Sequence, residues 1–155
     1  MYYIANSITV MIKNNIELSK LLKDEDLLKQ AIGTGRTIQS LLEHTMTIPI
    51  YEILLLKGLS KQEIYKNIFV NIKSIQEFEK QSIIQLERFK KELKHIQFLK
   101  KYSNREGTRM IGLEWCFELL SHYSHHKSQL YINILSIGQE VPQELTRQFF
   151  TGHLK

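Results

Sequence analysis

Apolar residues recur at helical spacing over most of this chain. Ile4, Ile8, Met11, Ile12, Leu18 and Leu22 form one stripe across residues 2 to 22, which predicts a first amphipathic helix. The segment KDEDLLKQAIGTG follows and reads as a short helical turn ended by Gly33 and Gly35. Ile38, Leu41, Leu42 and Ile48 set the core face of a second helix that runs towards Lys57, with Thr34 or Thr37 as its cap and Gly58 as its stop. Pro49 removes a backbone donor inside this pattern, so a kink or local break is expected there. The third stripe is the longest. It runs through Ile64, Ile68, Ile72, Ile75, Ile83, Leu86, Phe89 and Leu93 as one helix, opened by Ser60 and Glu63 as a capping box. Residues 94 to 110 lose the period: IQFLKKY suits extended chain and SNREGT a loop. Helical spacing returns from about 110 to 137 through Trp115, Leu119, Leu120, Leu130 and Ile134, and Gly138 closes it. Pro142 starts a short C-terminal helix through Phe150.

Four long amphipathic segments in 155 residues predict an all-α fold: a four-helix bundle with a short C-terminal helix, forming a single domain over residues 1–155. Composition agrees, because only two prolines interrupt the chain and 43% of it is hydrophobic. The single cysteine, Cys116, rules out an intrachain disulfide and suits a reducing compartment. No apolar run approaches the length needed to cross a bilayer, and the first residues lack a secretory pattern, so no membrane partner is expected and the expected location is the cytoplasm.

Charge changes the picture in one place. Residues 87 to 105 carry seven basic side chains against Glu87 and Glu92, which accounts for the whole net charge of +5. Such a patch suits a solvated helix end and loop, or contact with an anionic molecule. No nucleic-acid-binding motif accompanies it, so nucleic acid is not the expected partner. His95 falls within the patch and is expected to face solvent, and His153 lies in the tail with no role assigned.

Three of the six histidines, His122, His125 and His126, fall in the last long helical stretch. Residues four apart on a helix lie one above the other, so His122 and His126 share a polar ridge with Glu118 before them and Gln129 and Asn133 after. Two neutral imidazoles on adjacent turns can share one divalent ion, and a solvated histidine pair has the same spacing. His44 sits mid-helix beside the apolar face of the second helix, where a histidine is either a hydrogen-bonded core residue or a ligand.

Two stretches together carry a resemblance. SLLEHT around His44 and GLEWCFELLSHYSHHKSQLYINILSIGQEVP near the end resemble the DinB/YfiT-like family of bacterial metal-binding four-helix bundles. That family has one histidine on its second helix and a pair on its last long helix, in a pattern read as H-x-x-H-H-[RK]-G-Q-[LI]. Here the pattern is His122, Tyr123, Ser124, His125, His126, Lys127, Ser128, Gln129 and Leu130. Ser128 departs from the family's glycine but is small enough to leave a close helix approach intact. The resemblance spans nearly the whole chain. It implies a divalent metal ion, zinc, nickel or manganese, held by His44, His122 and His126, with His125 off the ridge as a neighbour. It also implies transfer of a low-molecular-weight thiol of the bacillithiol or mycothiol type onto an electrophilic small molecule. Gln129 would orient a ligand, Glu118 or Tyr51 would line the pocket, and no catalytic general base is identified. The alternative is a non-catalytic, stress-associated metal-binding protein. A homodimer is expected from the resemblance and from the aromatic residues Tyr2, Tyr3, Phe149 and Phe150 near the ends.

Overall fold

The computed structural model describes residues 2–68, 70–103, 107 and 109–147. Its helices are α1 (Tyr2–Ser19), α2 (Ile38–Leu56), α3 (Lys61–Ile68), α4 (Ile75–Leu93), α5 (Gly112–Ser136) and α6 (Gln143–Arg147). A 3₁₀ turn covers Asp24–Asp26, as the KDEDLLKQAIGTG segment predicts. The four long helices make the bundle: α2 packs against α4 and α5, and α1 packs against the same two. This leaves α1 facing α2 across one diagonal and α4 facing α5 across the other. The all-α bundle with its short C-terminal helix is therefore as expected. Among the described residues no helix is long and apolar enough to cross a membrane.

Several boundaries differ from the pattern reading. The predicted single third helix is two. α3 opens on the Ser60–Glu63 box, in which the Ser60 amide donates to the Glu63 carboxylate at 2.7 Å. It ends at Ile68, and α4 starts afresh after Ser74, whose hydroxyl accepts from the Glu77 amide at 3.1 Å. The apolar stripe stays in phase across the break, so periodicity cannot see it. What holds the break open is long-range: the Ile72 amide donates to Glu43 at 2.9 Å and its carbonyl accepts from Gln39 at 2.9 Å. Ser74 and Glu77 form a second S-x-x-E start signal, and that was the available clue.

α2 is continuous through Pro49, so of the kink or local break expected there the break does not occur. Pro49 and its neighbours Ile48 and Ile50 are buried, and tertiary packing outweighs the lost backbone bond. Thr37 is the cap, with its hydroxyl accepting from the Ser40 amide at 3.2 Å, whereas Thr34 donates to the Ala31 carbonyl and lies outside the helix. α1 stops at Ser19 rather than Leu22. Of the IQFLKKY segment only its end is extended, as β1 (Lys101–Ser103), paired antiparallel with β2 (Arg109–Ile111). The C-terminal helix is described to Arg147, and its expected extent to Phe150, with Phe149 and His153, lies outside the described residues. So do the side chains of Tyr2 and Tyr3.

α5 begins where the chain passes close to itself. A Cβ on Gly112 would stand 2.8 Å from the Gln97 carbonyl oxygen and 3.0 Å from the Phe98 Cα, so only glycine fits. The Glu114 carboxylate reaches back to the Ile111 amide at 2.8 Å and fixes the first turn.

The core is divided. One apolar cluster joins Ile8 to Ile16 of α1, Ile48 to Leu56 of α2, Leu86 and Phe89 of α4 and Trp115 to Tyr123 of α5. A second joins Leu18, Leu41, Leu42, Met46, Phe78, Leu130 and Ile134. Near the passage from one cluster to the other each long helix buries polar side chains: Ser82 on α4 and His126 and Lys127 on α5 between the clusters, Asn14 and Asn15 on α1 and Thr45 on α2 within a turn of the change. This polar stratum, halfway along the bundle, is where the histidines sit.

Candidate metal centre

His44 on α2 and His122 and His126 on α5 come together, with one ring nitrogen from each lying within 4.8 Å of the other two. The His44 Nε2 and His126 Nε2 atoms are 3.1 Å apart, and the His122 ring is 5.9 Å from that of His44, centre to centre. The i, i+4 spacing on α5 supplies two donors, and the antiparallel run of α2 supplies the third. Two imidazole nitrogens on one tetrahedral zinc, at ~2.0–2.1 Å each, stand roughly 3.3 Å apart. The His44–His126 separation fits that spacing, so the donor set is compatible with a divalent metal ion.

Neighbours orient two of the rings. The His126 Nδ1 atom donates to the Gln129 side-chain carbonyl at 2.8 Å, which leaves the Nε2 lone pair facing the cluster. The Gln129 amide in turn donates to His125 Nε2 at 3.0 Å. His125 is exposed and outside the cluster, as its position off the ridge predicts. The His122 Nδ1 atom lies 3.3 Å from the Glu52 carboxylate, which places its Nε2 on the far side of the ring. Glu52 was missed in the sequence. It stands eight residues after His44, two turns along the same face of α2, and that spacing was the signal.

The other ridge residues have other work. Gln129 orients His126 rather than standing free for a ligand. Glu118 is exposed and outside the cluster. Asn133 is buried, accepting from the Ile32 amide at 2.8 Å and tying α5 to the loop before α2. Ser128 is exposed and donates to the Ser124 carbonyl of its own helix, so no close helix approach depends on it. Lys127 is buried and donates to the Leu145 carbonyl at 3.2 Å, which holds α6 to the bundle. Cys116 is fully buried among apolar neighbours, and burial pushes its thiol up to about 11, so it is no nucleophile at neutral pH.

Burial also favours the neutral forms of His44 and His126. It pulls the His44 imidazole down to about 4, helped by the positive charges that His126, Arg36 and His122 would place nearby. His126 is lowered for the same first reason, against the pull of Gln129. Neutral imidazoles are the form that binds a metal.

His44 is also in the wall of an open cleft of about 320 Å³. Arg36, Ser40, Glu43 and Thr47 line it from α2 and the residues just before it, and Tyr65, Ile68 and Val70 from α3 and its exit. Tyr51 packs against the core and the Tyr65 ring, 5.7 Å away, so Tyr65 takes the cleft position expected of Tyr51. The basic stretch is split: Arg88 donates to the Asn67 carbonyl at 3.0 Å, beside Ile68, and later residues of the stretch fold elsewhere. Lys57, His95, Lys100, Lys101 and Tyr102 line a separate cleft at the far end of α2, ~20 Å from His44 at ~1.5 Å per helical residue.

No family model matches the sequence, and no curated protein matches it. Solved structures do match. One, from Exiguobacterium sibiricum and described as a candidate member of the DinB family, has a TM-score of 0.79 at 17% identity over 93% of this chain and 95% of that one. A DinB-like protein of Bacillus subtilis gives 0.71 at 14% identity over 90% and 96%. A DinB-like protein of Bacillus cereus gives 0.69 at 16% over 92% and 95%. The chain has the DinB-like fold, end to end with these neighbours.

Proposed function

We propose that this protein binds one divalent metal ion through His44, His122 and His126, and uses it in an enzyme of the thiol S-transferase kind. The observation that carries the reading is the convergence of three ring nitrogens from two rigid helices within 4.8 Å. Supporting it, two of the three rings have a partner on their outer nitrogen, Gln129 and Glu52. Such partners fix the tautomer and raise ligand basicity. When bound, an ion with three protein ligands and an open position lowers the pKa of a thiol or water placed on it. The chain's part is to hold three imidazole donors in place, with burial favouring neutral His126 and Gln129 orienting its ring. Cys116 supplies no thiolate, so the attacking sulfur must come from a separate small molecule. The test is to purify the protein without a histidine tag, measure bound metal, then screen low-molecular-weight thiols against electrophiles. Stoichiometric metal with metal- and thiol-dependent turnover supports the reading. Stoichiometric metal with no turnover across the screen leaves a non-catalytic metal-binding protein.

A further inference from the structure

The cleft beside His44 carries groups that ion binding does not use. Arg36 is exposed, and among the described residues its guanidinium makes no ion pair or hydrogen bond; only its backbone is engaged, with Ala31 and Thr34. The Ser40 hydroxyl, one turn further on, is likewise uncommitted. Glu43 is the one acid in the lining, and its carboxylate is turned to the α2–α4 corner, accepting from Gln39 at 3.2 Å and from the Ile72 amide. The opposite wall is apolar and aromatic: Tyr65, with 60% of its surface exposed, then Ile68 and Val70. Between the two walls stands His44. Arg36 brings a positive charge to the cleft that His44 also lines, which favours an anion there. The volume, about 320 Å³, is that of a small-molecule site.

We propose that this cleft is the substrate subsite of the histidine centre and takes a small carboxylate with an aromatic or branched apolar body. The carboxylate pairs with Arg36 and the Ser40 hydroxyl, the body lies on Tyr65, Ile68 and Val70, and the remaining end faces His44. Arg36 matches a planar carboxylate by its fork of N–H donors, which a lysine would not. The placement of the reacting end rests on the metal reading above; the recognition of the carboxylate does not.

Benzoate and its neutral isostere benzamide test this. Each is titrated into the metal-free ¹⁵N-labelled protein. Benzoate is expected to shift the amides of Ser40, Thr47 and Tyr65 and to bind more tightly than benzamide. Arg36→Gln should weaken benzoate about three- to fivefold, the range for an exposed ion pair, and remove the preference. Lys100→Gln, in the distant basic cleft, should change neither. In Co²⁺-loaded protein the benzoate protons should show paramagnetic relaxation that benzamide does not. Equal binding of the two probes, a preference that survives Arg36→Gln, shifts that map to Lys57 and Tyr102, or benzoate without paramagnetic relaxation in loaded protein would each overturn the subsite. Metal uptake is measured separately on wild type and His44→Ala. No uptake by the wild type, or equal uptake by wild type and His44→Ala, with the benzoate preference intact removes the metal reading and with it the link to the centre. Uptake without the preference removes the cleft alone.

Discussion

At the scale of single residues, the three histidines and their partners should separate cleanly. His44→Ala, His122→Ala and His126→Ala are each expected to abolish stoichiometric metal uptake measured by elemental analysis, while His125→Ala keeps it, because its exposed ring touches the edge of His126 and the Gln129 amide and adds no donor to the cluster. Full affinity in His44→Ala would sink the three-histidine site. Glu52→Gln should weaken metal binding roughly 10- to 100-fold, as loss of an outer-shell partner does, without lowering thermal stability of the metal-free chain. An isothermal titration that shows no change would leave Glu52 a surface acid. The metal-free protein also carries a pH signature. His44 titrates at about 4 in the fold, against ~6.5 in the unfolded chain, because burial disfavours its charged form. The unfolded state therefore takes up the proton first. The contribution of His44 to stability is whole above ~6.5 and declines as pH falls from there towards about 4. Urea unfolding across that window should show the decline in wild type and less of it in His44→Gln.

At the scale of elements, what the sequence could reveal was set by whether an element is specified locally. The Ser60–Glu63 box, the Thr37 cap and the stop at Gly138 are local chemistry, and all three are present. So was the pairing of His122 with His126, since helix geometry alone fixes it. The α3–α4 break was hidden because Gln39 and Glu43, some thirty residues away, supply its hydrogen bonds. The unbroken course through Pro49 was hidden because burial on all sides decides it. Glu52 needed the partner helix to be known before its position meant anything. The resemblance to DinB-like chains supplied the link between His44 and the α5 pair that spacing could not. Gly112 belongs at this scale too. Gly112→Ala would drive a methyl group against the Gln97 carbonyl and should destabilise the fold by about 1–3 kcal/mol. Thermal denaturation reads this directly; an unchanged midpoint would mean that the crossing of α5 and the preceding turn relaxes freely.

At the scale of the whole molecule, the question is what the ion would do for the bundle. Two apolar clusters are complete around it, so the chain has cores that need no metal to form. Chelation is expected to leave the far-ultraviolet circular dichroism unchanged and to lower stability only by the linked binding energy, ~2.7 kcal/mol when free metal stands at a hundredfold over the dissociation constant. Collapse of helicity on chelation would instead make the ion structural. The divided core has a further consequence for motion. At the polar waist each long helix buries polar side chains, and α2 and α5 meet there through imidazoles. Such a bundle is expected to open at the waist before it melts at either end. Amide hydrogen exchange in the ion-free protein should be faster around Thr45, Ser82 and His126 than around Ile53, Phe89 and Leu119, and loading the centre should slow the waist most. The centre would then behave as a clasp on the part of the scaffold with the most give, and ligand entry and ion exchange would share one gate.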